Sequence, residues 1–141
     1  MKRFHVHVYV DDLAESIAFY ANLFDTPPTR REIDYAKWLL DDPRIHFAIS
    51  TGSGKLGVDH LGIESEFPDE LDALRRRAVG AGLTMADVGD TTCCYARTDR
   101  VWVSDPQGVE WEHFRDLAQI DGATCRTLCM PPNSGRQSAL T

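Results

Sequence analysis

The feature that most restricts the fold of this chain is an order of elements that occurs twice. A strand, a helix and then short strands follow one another from residue 4 to residue 50, and the same order starts again at residue 58. The turn-rich segment 51–57 separates the two copies. The copies repeat at a spacing of about 55 residues in pattern rather than in identical letters. The sequence therefore predicts an α+β fold built from two similar modules.

In the first module, valines alternate with histidine or tyrosine over residues 4–10. This alternation predicts a strand with His5 and His7 on one face. A helix capped by Asp12 is predicted to follow, because its apolar residues recur at helical spacing. Pro27–Pro28 is predicted to stop this helix. The remaining strands predicted for the module lie near 35–40 and 44–50.

In the second module, residues 58–64 form the predicted first strand, and Pro68 begins a predicted helix that runs to Val79. The glycines of the segment 80–82 end it. The strands predicted to close the module lie near 93–97, 100–104 and 109–114.

These elements predict one domain over residues 1–116, with modules of about 1–52 and 58–116. Residues 117–141 are polar, contain two adjacent prolines and end in a Ser/Gly-rich stretch, so we expect a mobile C-terminal tail.

Length and charge exclude several classes of function. The 141 residues suit one compact domain, and the net charge of -7 argues against a nucleic-acid partner because an acidic surface repels phosphates. No run of about 18 apolar residues is present, so we expect no membrane association. The N-terminus lacks the apolar region of a signal peptide, which predicts a cytoplasmic protein whose four cysteines are reduced.

Three residues at matching places in the pattern are candidate metal ligands. His5 lies in the first strand of module one, His60 in the first strand of module two, and Glu112 in the last strand. Two imidazoles and one carboxylate form the ligand set of non-haem Fe(II) oxygenases, and they also suit Ni, Co, Mn or Zn. His7 shares a face with His5 and is an alternative or auxiliary ligand, and Glu110 shares a face with Glu112.

Adjacent cysteines at 93 and 94 are the second chemical feature. They are either two small apolar side chains of the interior or a pair of thiols for a soft ion. Adjacent side chains of a regular strand point to opposite faces, so both can bind one atom only if the chain turns there. The segment 89–92 makes such a turn plausible. Cys125 and Cys129 in the tail are incidental, add a third thiol, or complete a four-cysteine zinc site.

Three segments resemble the glyoxalase/bleomycin-resistance/dioxygenase, or vicinal oxygen chelate, superfamily. They are HVHVYVDDL from His5 with Ser16 and Phe19–Tyr20, DHLGI from Asp59, and DPQGVEWE from Asp105 to Glu112. The resemblance covers residues 4–116. It implies two βαβββ modules that form a curled mixed sheet around a metal. It also selects His5 over His7 and Glu112 over Glu110 as catalytic metal ligands.

Within that superfamily one branch is closer. The segment TTCCYA from Thr91 and the segment DRVWV from Asp99 resemble parts of the carbon–arsenic lyases and the related cadmium-induced proteins, although Arg100 stands where lysine is common. The resemblance implies an Fe(II)-dependent dioxygenase that binds a trivalent organoarsenical through Cys93 and Cys94 and splits its C–As bond with O2.

Two alternatives stay open beside this lyase. A non-catalytic resistance protein that binds Cd(II) or As(III) needs the cysteines but not the metal ligands. Another metalloenzyme of the superfamily, such as a glutathione transferase or an isomerase, needs the ligands but not the cysteines. The presence of both favours the arsenical lyase. The sequence leaves open the native metal, the organic group of the arsenical and the oligomeric state, a homodimer included.

Overall fold

The computed structural model describes residues 1–52 and 54–121. Within them the chain has eight strands and two helices in the order β-α-β-β-β, β-α-β-β-β, which confirms the α+β fold of two βαβββ modules. The elements are β1 (Arg3–Tyr9), α1 (Leu13–Phe24), β2 (Arg30–Arg31), β3 (Tyr35–Asp41), β4 (Arg44–Ser50), β5 (Gly57–Glu64), α2 (Pro68–Gly80), β6 (Met85–Cys93), β7 (Ala96–Ser104) and β8 (Glu110–Gln119). No helix of these residues is long and apolar enough to cross a membrane.

The chain divides into two compact units, and the division falls inside β5, between Leu61 and Gly62. The first unit, Lys2–Leu61, holds β1 to β4, α1 and the beginning of β5. Its sheet is mixed, because β1 pairs with β4 in parallel while β3 is antiparallel to both β2 and β4. The parallel register places His5 opposite His46 and His7 opposite Ala48.

An apolar core fills the first unit between α1 and one face of its sheet. The stripe of α1 and every second residue of the strands supply it, which leaves the alternate face of β1 for His5 and His7. The buried members of the core are Val8, Ile17, Ala36, Trp38, Phe47 and Ile49. Trp38 is fully buried and still satisfies its indole, since its Nε1 donates to the carbonyl oxygen of Thr26 at 3.0 Å. The histidines therefore stand on a rigid support.

Helix α1 begins and ends on aspartates. The Asp12 carboxylate accepts from the backbone N–H of Glu15 at 2.9 Å, as the N-cap prediction required. At the other end Asp25 adopts a left-handed conformation with φ 53°, and its N–H bonds back to the last turn. The helix thus ends at Phe24, before the prolines at 27 and 28 that were predicted to stop it.

Replacing Asp12 with alanine is expected to destabilise the protein by about 1 kcal/mol, because one backbone N–H of the first turn loses its acceptor. Urea unfolding followed by circular dichroism measures this loss. Asp11→Ala is the matched control, since it removes the same charge from an exposed neighbour that does not cap the helix. Equal destabilisation by both variants would contradict the capping role.

The second unit begins at Gly62 and contains the end of β5, helix α2 and strands β6 to β8. Strands β6, β7 and β8 form an antiparallel ladder, in which Trp102 lies opposite Glu112 and Ser104 opposite Glu110. Arg75 of α2 forms hydrogen bonds with Asp87 of β6 and Asp99 of β7. The hydrogen bonds that the guanidinium donates to Asp99 are the chief cause that raises its pKa. Since Asp99 alternates with Arg100, the face with Glu112 is the one turned away from the helix.

The paired cysteines mark the turn between β6 and β7. Cys93 lies opposite Ala96 in the ladder, and Cys94 and Tyr95 are the two residues between them. Both have positive φ, 49° and 63°, which is the backbone of a type I′ hairpin turn. The strand predicted over 93–97 is therefore wrong, because the chain reverses there. The turn expected at 89–92 instead belongs to β6, where a bulge lies between Asp87 and Gly89.

Strand β8 also runs further than the sequence predicted. It extends to Gln119, and the N–H of Ile120 donates to the carbonyl oxygen of Tyr95 at 2.8 Å. The end of this strand therefore contacts the cysteine hairpin. The rest of the predicted tail, with Cys125 and Cys129, lies outside the described residues.

Candidate metal centre

Two histidine side chains meet inside the first unit. The Nε2 atoms of His5 on β1 and His60 on β5 are 3.2 Å apart, and both side chains are buried. Fixed strands hold both residues, so the approach of the rings does not depend on a flexible loop.

A hydrogen-bond acceptor beside Nδ1 fixes the tautomer of each ring. Nδ1 of His5 lies 3.0 Å from the carbonyl oxygen of His46, and a carbonyl can only accept. Nδ1 of His60 lies 2.6 Å from the carboxylate of Asp59, which also only accepts when ionised. Both hydrogen atoms therefore sit on Nδ1, and in the neutral rings both facing Nε2 atoms carry lone pairs.

Two lone pairs at 3.2 Å repel each other unless a cation accepts them. A proton on one Nε2 would also relieve this repulsion, and it would place an imidazolium in the buried site. A metal ion satisfies both nitrogens, because two neighbouring ligands with metal–nitrogen bonds of about 2.1 Å stand about 3.0–3.4 Å apart. The donor set of the first unit thus fits a metal ion.

Asp59 contacts the Nδ1 side of His60, opposite its Nε2 atom, and His7 in turn contacts Asp59. Oδ2 of Asp59 is 2.6 Å from Nδ1 of His60 and 3.5 Å from Nδ1 of His7, while Nε2 of His7 is 2.7 Å from the hydroxyl of Ser50. Burial opposes ionisation of Asp59, but the hydrogen bonds from the two histidines outweigh it and hold its pKa well below its usual range. Asp59 is therefore a carboxylate throughout the neutral pH range.

His7, Asp59 and His60 form a metal-capable group of their own, with ligand atoms within 4.8 Å of one another. His60 would have to offer Nδ1 there, the nitrogen whose hydrogen Asp59 accepts. The group is therefore the competing position for an ion in the first unit.

The predicted carboxylate ligand belongs to the second unit. Glu112 is buried, and its Oε1 lies 3.4 Å from Nη1 of Arg100. Arg100 is itself buried and donates from Nε and Nη2 to the hydroxyl of Thr98 at 3.1 and 2.6 Å. The guanidinium offsets the charge of Glu112 in a place where an isolated carboxylate is costly.

Glu110, the competing carboxylate, is also buried on the same face of β8. It accepts a hydrogen bond of 2.8 Å from the hydroxyl of Ser104, directly across the ladder. Glu110 thus has a neutral hydroxyl as its cross-strand neighbour, whereas Glu112 has a cation close by.

Sequence reasoning singled out His5, His60 and Glu112 but assigned no role to Asp59. The residue precedes His60 in a strand, so simple alternation predicts that it points away from the histidine. The signal that could have found it is an acidic residue adjacent to a candidate ligand, because ligand histidines usually donate their second N–H to a carboxylate or carbonyl.

The sequence pattern of the Glyoxalase/Bleomycin resistance protein/Dioxygenase superfamily matches residues 2–113. A protein named trivalent organoarsenical cleaving enzyme from Thermomonospora curvata is 35% identical over 99% of this chain and 95% of its own length. The cadmium-induced protein CadI of Mycobacterium bovis is 36% identical over 86% of this chain and 80% of its own. Both relatives match the branch that the cysteine segments indicated.

Among solved structures, the Mn(II)-bound glyoxalase from Novosphingobium aromaticivorans has the same fold. Its TM-score is 0.60 at 19% identity, over 93% of this chain and 46% of that one. Two βαβββ modules, a matching pattern over most of the length and homologues that cover nearly all of the chain lead to one conclusion. The protein belongs to the Glyoxalase/Bleomycin resistance protein/Dioxygenase superfamily, in the branch of the organoarsenical cleaving enzymes and cadmium-induced proteins.

Proposed function

We propose that this protein is an Fe(II)-dependent dioxygenase that cleaves the C–As bond of trivalent organoarsenicals. The observation that carries the proposal is the pair of Nε2 atoms 3.2 Å apart, each with its ring oriented from behind by a hydrogen-bond acceptor. Homology to the Thermomonospora curvata protein named trivalent organoarsenical cleaving enzyme supports the choice of substrate.

His5, His60 and Glu112 are the proposed ligands. Two neutral imidazoles and one carboxylate leave coordination positions open, which is the arrangement of non-haem Fe(II) oxygenases. Ni, Co, Mn and Zn accept the same ligands, so Fe(II) is chosen for the chemistry. When bound, it supplies the O2 activation that no side chain provides. All three side chains are buried, which limits the access of bulk water to them.

Cys93 and Cys94 are the proposed arsenic-binding residues. A trivalent organoarsenical R–As(OH)2 has two exchangeable oxygens, so two thiols replace them with release of two water molecules. The backbone turn at Cys94–Tyr95 supports this assignment, because adjacent side chains of a regular strand point to opposite faces. Non-glycine residues with positive φ are uncommon, and such strain is concentrated at functional sites.

The competing function is binding of Cd(II) or As(III) without catalysis, which the homology to CadI favours. The two functions differ in what they need. A sequestering protein needs its thiols and neither O2 nor iron, whereas the lyase needs all of them.

The decisive experiment loads the protein with Fe(II) without air, adds methylarsenite and then admits O2. Arsenic speciation by chromatography coupled to mass spectrometry is expected to show conversion of methylarsenite to inorganic arsenite. One O2 is consumed for each C–As bond broken, with one oxygen atom on arsenic and the other on the methyl carbon, which leaves as formaldehyde. Samples without iron or without O2 are the controls and are expected to retain methylarsenite. Stoichiometric binding without conversion in the complete mixture would favour the sequestering function.

A truncation tests the proposed auxiliary role of Cys125 and Cys129. Ending the chain after Asp121 keeps all of β8 and the hydrogen bond between Ile120 and Tyr95. Inorganic As(III) takes three thiolates whereas a methylated arsenical takes two, so we expect weaker As(III) binding and an almost unchanged single-turnover cleavage rate. Loss of cleavage in a folded, iron-binding truncation would make the tail part of the active site.

A further inference from the structure

The series Ser50–His7–Asp59–His60 ends at the proposed metal ligand His60. Hydrogen bonds join Ser50 to His7 and Asp59 to His60, and a contact of 3.5 Å joins His7 to Asp59. We infer that Asp59 is a positioning residue, which holds His60 in the tautomer and orientation that offer Nε2 to the metal, and that His7 supports Asp59 rather than binding the metal. The inference rests on the proposed metal centre. It also gives a role to His7, which shares a face with His5 and was an alternative or auxiliary ligand.

The distances show that Asp59 contacts His60 more closely than it contacts His7. The contact between Asp59 and His60 is short, at 2.6 Å, whereas Nδ1 of His7 is 3.5 Å from the same carboxylate oxygen. A short hydrogen bond from the imidazole N–H to a carboxylate fixes the hydrogen on Nδ1 and makes Nε2 a better ligand for a metal. His60 therefore depends on Asp59 directly, and on His7 only through Asp59.

His7 has the geometry of a support. Its Nε2 is 2.7 Å from the Ser50 hydroxyl, and its Nδ1 faces Asp59, so both ring nitrogens are directed at protein groups. Its ring packs edge-on against Tyr9, with centroids 4.8 Å apart. His5, in contrast, directs Nε2 at the corresponding atom of His60.

The two ligand histidines are oriented by different kinds of group. A backbone carbonyl, that of His46, orients His5, and no substitution removes it without changing the strand. A side chain orients His60. Of the two ligand histidines, His60 is therefore the one whose orienting group a mutation can remove, and that group is Asp59.

The test is anaerobic titration of the metal-free full-length protein with Fe(II), and with Co(II) as a spectroscopic probe. Asp59→Asn is expected to weaken metal binding by about 10–100-fold and to change the visible Co(II) spectrum. The reason is that an amide can donate to Nδ1 of His60 and so move the hydrogen to Nε2. Asp59→Glu, which keeps a carboxylate, is expected to recover part of the affinity.

His7→Gln is expected to weaken binding less than Asp59→Asn, because the carboxylate remains beside His60. Asp11→Asn is the charge-matched control from an exposed position and should bind as the parent does. Thermal unfolding of each metal-free variant separates a loss of affinity from a loss of fold. If Asp59→Asn unfolds, the metal affinity of Asp59→Glu still tests the positioning role.

Three outcomes would overturn the inference, and each is distinguishable. Parent affinity and an unchanged Co(II) spectrum in Asp59→Asn would contradict the positioning role while leaving the proposed function intact. Abolished binding in Asp59→Asn and His7→Gln, with binding retained in His5→Ala, would place the metal on His7, Asp59 and His60 instead. A parent protein that binds neither metal would reject the metal centre itself, and the proposed function with it.

Discussion

Replacing His60 with alanine is expected to abolish Fe(II) binding and, with it, cleavage of methylarsenite. His60 supplies one of the two facing Nε2 atoms, so its removal deletes a ligand rather than disturbing one. The loss of Fe(II) affinity should be larger than the loss of about 10–100-fold that is expected when a residue that orients a metal ligand is replaced. Anaerobic titration of the metal-free protein measures it, together with the iron content of the purified variant.

The fold should survive this change, because the apolar core of the first unit does not include His60. Asp59 loses its closest partner, so we expect a moderate loss of stability of about 1–3 kcal/mol. His113→Ala is the matched control, since this histidine lies on β8 next to Glu112 but on the opposite face of the strand. Parent affinity for iron in the His60 variant would show that the proposed ligands are wrong.

The sequence predicted the first module well because its strands carry apolar side chains on one face and mostly polar ones on the other, although both faces are largely buried. In β1 and β4 one face packs on α1 and the other carries mostly polar or small residues, which produces the alternation that marks a strand. The repeat of the whole pattern then placed His5 and His60 at matching positions. In the structure their Nε2 atoms lie 3.2 Å apart.

The second module was predicted less well, for reasons that lie in β6. Gly89 and Asp90 are poor strand residues, so the segment indicated a turn. In the protein the backbone ladder with β7 overrides this preference, and a bulge with Gly89 at φ 68° accommodates it. The true hairpin turn contains neither glycine nor asparagine, so no turn signal marked Cys94 and Tyr95.

The environment of the candidate ligands was the part that the sequence could not predict. Contact between Asp59 and His60 depends on side-chain direction beyond simple alternation, and the pairing of Arg100 with Glu112 depends on the register of β7 and β8. Such relations are set by how the strands align across the sheet. A single sequence carries only weak information on that alignment.

The cysteine pair can be tested separately from the metal ligands. Cys93→Ser and Cys94→Ser are each expected to weaken binding of methylarsenite by about 10²–10⁴-fold, because the second As–S bond of a dithiol forms within one molecule at high effective concentration. Iron binding should remain at the parent level, since the proposed iron ligands are two imidazoles and a carboxylate. Equilibrium binding of methylarsenite without O2, and iron titration of the same samples, measure the two properties independently.

The hairpin geometry allows each of the two thiols to be removed without changing the backbone. Cys93 ends β6 and Cys94 is the first residue of a two-residue turn, so a serine at either place preserves the backbone and removes one thiol. Thr92→Ser is the matched control, because it changes the neighbouring side chain of β6 and leaves both thiols. If either cysteine variant lost iron, the thiols would belong to the metal centre. If either bound methylarsenite as the parent does, a single thiol would suffice and the pair would not be the arsenic site.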